Sequence, residues 1–207
     1  MSKKIISFLI LTVMAIASLF AASACGNMSG GKSMAESVTQ STETADSSSY
    51  SSYSDEYFTY TYLSETDSYE IQAKDVNNMP AEVVLPSTLE GKPVTSIGYM
   101  AFYNCSSLTS IELPSSVTSI GRSAFSWCSS LTNITFGENS RLTSIGGEAF
   151  DHCWGLTSIE IPSSVTSIGD RAFEDCYSLT IIEIPSSVTS IGDYAFAGCS
   201  SLTSVKV

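Results

Sequence analysis

Positive charge is scarce in this sequence: 9 Lys+Arg stand against 21 Asp+Glu in 207 residues, a formal net charge of -12. Without a basic patch the chain has nothing to neutralise a phosphate backbone, so nucleic-acid binding is not expected, and proteins, sugars or cations are the partner classes left. Histidine is nearly absent, with His152 the single copy. That leaves little for a histidine-based metal site or for general base chemistry, and no metal or cofactor is expected. Cysteine is not absent, but the 6 copies divide into Cys25 and an odd remainder. A disulfide framework in an exported chain uses an even count, so the remainder does not read as one.

What is present first is a leader. Ser2, Lys3 and Lys4 precede an apolar run from Ile5 to Phe20, and the small residues Ala21, Ala22, Ser23 and Ala24 precede Cys25. Residues 1–24 therefore have the layout of a secretory signal peptide, and the small residues ahead of a cysteine favour cleavage over a membrane-spanning anchor. This ending resembles a bacterial lipobox, apart from Ala22 where leucine is usual, which implies acylation of Cys25 and attachment to the membrane. Loss of Lys3 and Lys4 would leave the mature chain more acidic still. Residues 25–56 are rich in Ser, Thr, Gly and acidic residues, lack apolar periodicity, and read as a disordered tether.

From residue 94 the chain repeats itself. Val94-Thr-Ser-Ile-Gly98 recurs at 117–121, 165–169 and 188–192, and with Leu142 in place of valine at 142–146, each followed by x-x-Ala-Phe-x-x-Cys-x-x-Leu. The cysteines fall at 105, 128, 153, 176 and 199, and the one longer interval, between Cys128 and Cys153, contains Gly137 to Arg141 where neighbouring copies have Pro-Ser-Ser. Loops absorb such an insertion cheaply. Within a copy, one extended run ends in a proline such as Pro114 and another in a glycine such as Gly121, where a positive φ is expected. Arg122 to Cys128 has apolar spacing suited to one or two helical turns. No copy can cover its own apolar side, so stability must come from stacking, with Leu108 over Leu131, Leu156, Leu179 and Leu202. The expected architecture is a repeat solenoid, mostly β with short helical turns, in which residues 94–207 form five coils. Tyr57 to residue 93 supplies an opening β-hairpin cap and first strand. Val207 lies in a final strand with no polar closing coil, an edge through which the chain is a candidate homo-oligomer.

This ladder closely resembles the BspA-like leucine-rich repeats of bacterial surface proteins, over about residues 82–207. The resemblance implies a cell-surface protein that binds host matrix proteins or other microbes.

The five repeat cysteines share one register and read as an inward column of small apolar side chains. A nucleophile paired from Cys153 and His152 is disfavoured, because the neighbour of an inward cysteine points outward to solvent. The chain is expected not to be an enzyme. Two surfaces are candidate ligand sites. One is an aromatic flank, with Trp127 and His152 in one column and Trp154 and Tyr177 in the next, suited to sugar stacking or a protein hot spot. The other is an acidic stripe of Glu112, Glu160 and Glu183, completed by Thr135 and Lys206, on the outward face of the long strands. An adhesion or recognition module binding protein or glycan is the reading these features favour. The alternatives are a structural subunit assembling through the open end and an accessory domain of a surface enzyme system.

Overall fold

The computed structural model describes residues 52–206. An antiparallel meander opens it: β1 (Ser52–Ser54), β2 (Phe58–Leu63) and β3 (Ser68–Ala73). The expected hairpin is β2 with β3, but it has a third strand, since Ser52 to Ser54 belongs to β1 and not to the tether. The chain then alternates between two sides of a solenoid through β4 (Glu82–Val84), β5 (Thr88–Leu89), β6 (Lys92–Ile97), β7 (Ser110–Leu113), β8 (Ser119–Ile120), β9 (Asn133–Phe136), β10 (Ser144–Ile145), β11 (Ser158–Glu160), β12 (Ser167–Ile168), β13 (Ile181–Glu183), β14 (Ser190–Ile191) and β15 (Ser204–Lys206). On one side β6, β8, β10, β12 and β14 pair in parallel, and β3 joins them beside β6, so the meander covers the first coil. On the other side the long strands form two separate three-stranded sheets, β4-β7-β9 and β11-β13-β15. The break between β9 and β11 falls where Gly137 to Arg141 lengthen the turn. Among the described residues the outer edges of β14 and β15 have no partner strand.

Stacking is carried by columns of identical residues. Phe102, Phe125, Phe150, Phe173 and Phe196 lie nearly parallel with successive centroids 5.1, 5.3, 5.2 and 5.4 Å apart. Leu108, Leu131, Leu156 and Leu179 are buried beside them, whereas Leu202 and Phe196 of the last coil are only partly so. Each fully buried large side chain contributes about 1.5–3 kcal/mol, a gain that an interior coil realises on both faces and the last coil on one. Threonine hydroxyls add a polar ladder on the surface: Thr118, Thr143, Thr166 and Thr189 each donate to the carbonyl of the threonine one coil earlier or, for Thr118, of Thr95.

The segment expected to form short helical turns does not do so. In coil two, Ser123, Phe125 and Trp127 donate their N–H groups to the carbonyls of Gly147, Ala149 and Asp151 in the next coil, while Ala124, Ser126 and Cys128 close tight turns onto Gly121, Ser123 and Phe125. A helix would direct every N–H along its own axis; here alternate donors are needed laterally to join the coils. The alternation is set by two left-handed residues per copy, at φ 55° for Ser123 and φ 64° for Trp127 in this coil. Positive φ is therefore found before Ala124 and before Cys128, and not at Gly121. Glycine is required there for a different reason: a Cβ on Gly121 would lie 2.8 Å from the backbone of Ile97 and Gly98, and on Gly169 2.4 Å from that of Gly147.

Candidate functional site

The residue preceding each repeat cysteine is left-handed in every coil: Asn104 at φ 58°, Trp127 at 64°, His152 at 56°, Asp175 at 55° and Gly198 at 72°. Asn, Asp and Gly suit that backbone and histidine tolerates it, whereas tryptophan is a poor choice for it. The turn throws the side chain outward, so same-register residues of neighbouring coils meet. Trp127 and His152 stack with centroids 4.1 Å apart and 12° between planes. The residue after the cysteine is Ser106, Ser129 or Ser200 in three coils but Trp154 and Tyr177 in the two between. Trp154 stands edge-on to Trp127 at 5.7 Å and near-parallel to Tyr177 at 6.4 Å and 17°. The two columns foreseen in the sequence thus form one continuous cluster. Trp127, Trp154 and Tyr177 keep 37%, 40% and 44% of their surface exposed.

His152 is not simply turned to solvent. Its Nδ1 lies 2.5 Å from Asp151 Oδ1 and its Nε2 3.4 Å from Asp175 Oδ2, with the side chain 23% exposed. Asp151 also accepts a hydrogen bond from Ser126 Oγ at 3.3 Å. Burial and the nearby Asp175 and Asp151 carboxylates hold the Tyr177 phenol above its usual range. Sequence reasoning gave Asp151 no role and missed Asp175, although each precedes or occupies the same repeat register as His152. Both imidazole nitrogens face carboxylates, and among the described residues no nucleophile reaches them. Cys153 is buried, its Sγ donates to Phe125 O at 3.1 Å, and burial pushes its thiol well up. Cys105, Cys128 and Cys176 are likewise free and buried, and Cys199 is partly buried.

The acidic stripe is divided. Glu160 and Glu183 are direct in-register neighbours, and Glu183 is followed by Lys206. Glu112 sits between Val84 and Thr135 in the other sheet. The sheet break lies between Thr135 and Glu160, so the three glutamates do not share one ladder. Two concavities went unforeseen. A groove of about 710 Å³ runs over Ser144, Ser167, Ser190 and Gly146 between Arg122 and Arg171. A cleft of about 460 Å³ opens at the sheet break between Phe136, Gly137, Glu160 and Pro162; the long 128-to-153 interval was its signal. Among the described residues no group of His, Cys, Asp and Glu is arranged to hold a metal ion. Cys25 lies outside the described residues.

The family model described as BspA type leucine rich repeat region matches residues 87–207 in 6 copies, one more than the sequence reading counts. No curated protein matches the chain. Among solved structures, the leucine-rich-repeat protein TpLRR of T. pallidum is 37% identical with a TM-score of 0.68, over 73% of this chain and 69% of that one. A leucine-rich-repeat protein of Bacteroides ovatus is 37% identical with a TM-score of 0.66, over 75% of this chain, which spans 41% of that one. The pneumococcal vaccine antigen PcpA shares the fold at 22% identity and a TM-score of 0.54, over 75% of this chain and 48% of that one.

Proposed function

Because the chain belongs to the BspA-type leucine-rich-repeat family, we propose that it is an exported, lipid-anchored, non-enzymatic recognition module that binds a protein or glycan ligand at the cell surface. The observation that carries this reading is the continuous cluster of Trp127, His152, Trp154 and Tyr177, partly exposed at positions where the other coils carry small or polar residues. The Phe, Leu and Ile columns form the buried core of the coils, and these rings lie outside it. Large aromatics displayed together supply contact area at low conformational-entropy cost. The leader, Cys25 and the Ser-rich tether support display away from a membrane. The alternative is a cationic partner at the in-register pair Glu160 and Glu183, whose repulsion Lys206 offsets from one side only.

The test is binding of the full chain to arrays of matrix proteins and glycans. The double variant Trp127→Ala with Trp154→Ala is expected to lose about tenfold or more in affinity with an unchanged circular-dichroism spectrum. Undiminished binding by a folded double variant would remove the aromatic flank as the site.

A further inference from the structure

From the geometry of the flank we infer that its ligand is an uncharged oligosaccharide, packed against the exposed surfaces of Trp154 and Tyr177 and hydrogen-bonded to Asp175. This rests on the reading of the flank as the binding surface and names the chemistry it selects. The rings differ in what they leave free. Trp127 and His152, 4.1 Å apart, cover each other. Trp154 and Tyr177 are tilted by only 17° yet stand 6.4 Å apart and keep 40% and 44% of their surface exposed, so aromatic surface stays open on successive coils as a platform. Trp127, turned 65° to Trp154, closes one end of it.

A pyranose presents a flat face of C–H groups to such a platform and hydroxyls around its rim. The rim here meets acceptors: Asp175, with its side chain 28% exposed, sits between His152 and Tyr177. Hydroxyl donation to a carboxylate is a charge-assisted hydrogen bond, stronger than a neutral one. The same carboxylate, with Asp151 on the other side of His152 in a chain of net charge -12, repels sulfated, sialylated or phosphorylated ligands. Size argues in the same direction. Rings on three consecutive coils extend over roughly 10 Å at about 4.8 Å per coil, the length of a few sugar residues. A stable protein interface needs roughly 800 Å² per partner, far more than this strip provides, and its repeat-register neighbours Ser106, Ser129 and Ser200 add no apolar anchor.

Both tryptophans of the chain lie in this cluster, so tryptophan emission of the full chain, excited to the red of tyrosine absorption, reports on it alone. Titration with neutral gluco-, manno- and N-acetylglucosamine oligomers is expected to change the emission saturably for at least one series, and sialyllactose and heparin fragments are expected not to. Tyr177→Ala and Asp175→Asn should each weaken that binding by about tenfold, while Tyr177→Phe, which keeps the ring, should weaken it by less than about threefold. Asparagine already occupies the equivalent backbone position at Asn104, so Asp175→Asn is compatible with the fold, and the thermal midpoint of each variant checks this. Absence of any response to neutral oligomers, or tighter binding of the anionic ones, overturns the inference. If in that case a matrix protein still binds through Trp127 and Trp154, the flank stands as the site and only the glycan assignment falls. If the double tryptophan variant binds every ligand as wild type does, both fall.

Discussion

Trp127 and His152 stack at 4.1 Å although they are 25 residues apart in sequence and both occupy left-handed backbone. The contact exists because each residue precedes a buried cysteine in its own coil, and the coils lie in register. His152 then extends the array through Nε2 to Asp175 one coil further on. A site three coils long is thereby assembled from a single position of the repeat, with Trp154 and Tyr177 entering from the position two residues later.

That backbone makes the site costly to hold. A non-glycine residue in left-handed conformation costs roughly 1–2 kcal/mol, while an aromatic stack returns about 0.5–1.5 kcal/mol. Trp127→Asn, which suits the conformation but removes the stack, is therefore expected to unfold in urea at the same midpoint as wild type or a higher one, and to bind ligand more weakly. A markedly lower midpoint would mean that Trp127 is structural.

The phenylalanine column predicts a gradient of stability along the solenoid. Phe150 has ring neighbours at 5.3 and 5.2 Å on both sides, whereas Phe196 has one, at 5.4 Å. Phe150→Ala leaves an enclosed cavity and should destabilise by about 3–5 kcal/mol, with Phe196→Ala costing distinctly less because its ring is only partly buried and stacked on one face. Equal urea midpoints for the two variants would contradict stacking as the source of stability.

The thiol column makes a prediction about reactivity and pH. Cys105, Cys128, Cys153 and Cys176 are buried and Cys199 only partly so, and each donates to a carbonyl of an earlier segment. Native protein should expose Cys199 alone among them to a thiol reagent, with the others reacting in denaturant. Burial raises the Cys128 and Cys153 thiols, so the folded state retains protons that the unfolded chain releases. Their contribution to stability is fully present below the free-thiol value of about 8.5 and is lost as pH rises beyond it. Substituting Cys153→Ala should flatten that alkaline decline; an unchanged slope would count against the burial account.

Repetition made the solenoid legible. Each of Leu, Ile, Phe and Cys recurs in a fixed register, and residues in one register must stack once the coils are parallel. The opening hairpin was equally readable from the alternation of Phe58, Tyr60 and Tyr62. What failed was local conformation between Arg122 and Cys128, because i, i+4 apolar spacing describes a helix and a pair of left-handed turns equally well. Lateral hydrogen bonding, a tertiary demand, decides between them. Gly121 was misread on the same ground: the need was for space beside Ile97 and Gly98, which no single coil reveals. Asp175 escaped notice because its partner His152 lies one coil away, in a register where side chains were judged one coil at a time. The break after β9 was visible as two extra residues, but its effect on the acidic stripe required the strand pairing.

Export is tested at Cys25. With small residues from Ala21 to Ala24 ahead of it, the mature chain is expected to partition into detergent and to incorporate labelled fatty acid, and Cys25→Ser should abolish both. Processing and membrane retention of the serine variant at the wild-type level would exclude lipid attachment at this residue.

Salt separates the two candidate surfaces. Contacts made by Trp127, Trp154 and Tyr177 are apolar and short-ranged, so binding through them should vary little as ionic strength rises past about 0.15 M, where the screening length is about 8 Å. Binding through Glu112, Glu160 and Glu183, which are exposed and face solvent on the strands, should instead fall steeply, chiefly by slowing association, since solvated charges act more on encounter than on residence. Because Glu112 lies in a different sheet from Glu160 and Glu183, an acidic site would be built on the latter pair. Glu160→Gln with Glu183→Gln should then cost as much binding as changing all three glutamates to glutamine, and Glu112→Gln alone should do nothing. The aromatic site predicts the opposite pattern: a flat salt response, full binding by the glutamine variants, and loss with Trp127→Ala and Trp154→Ala, all measurable as association and dissociation rates on one immobilised ligand.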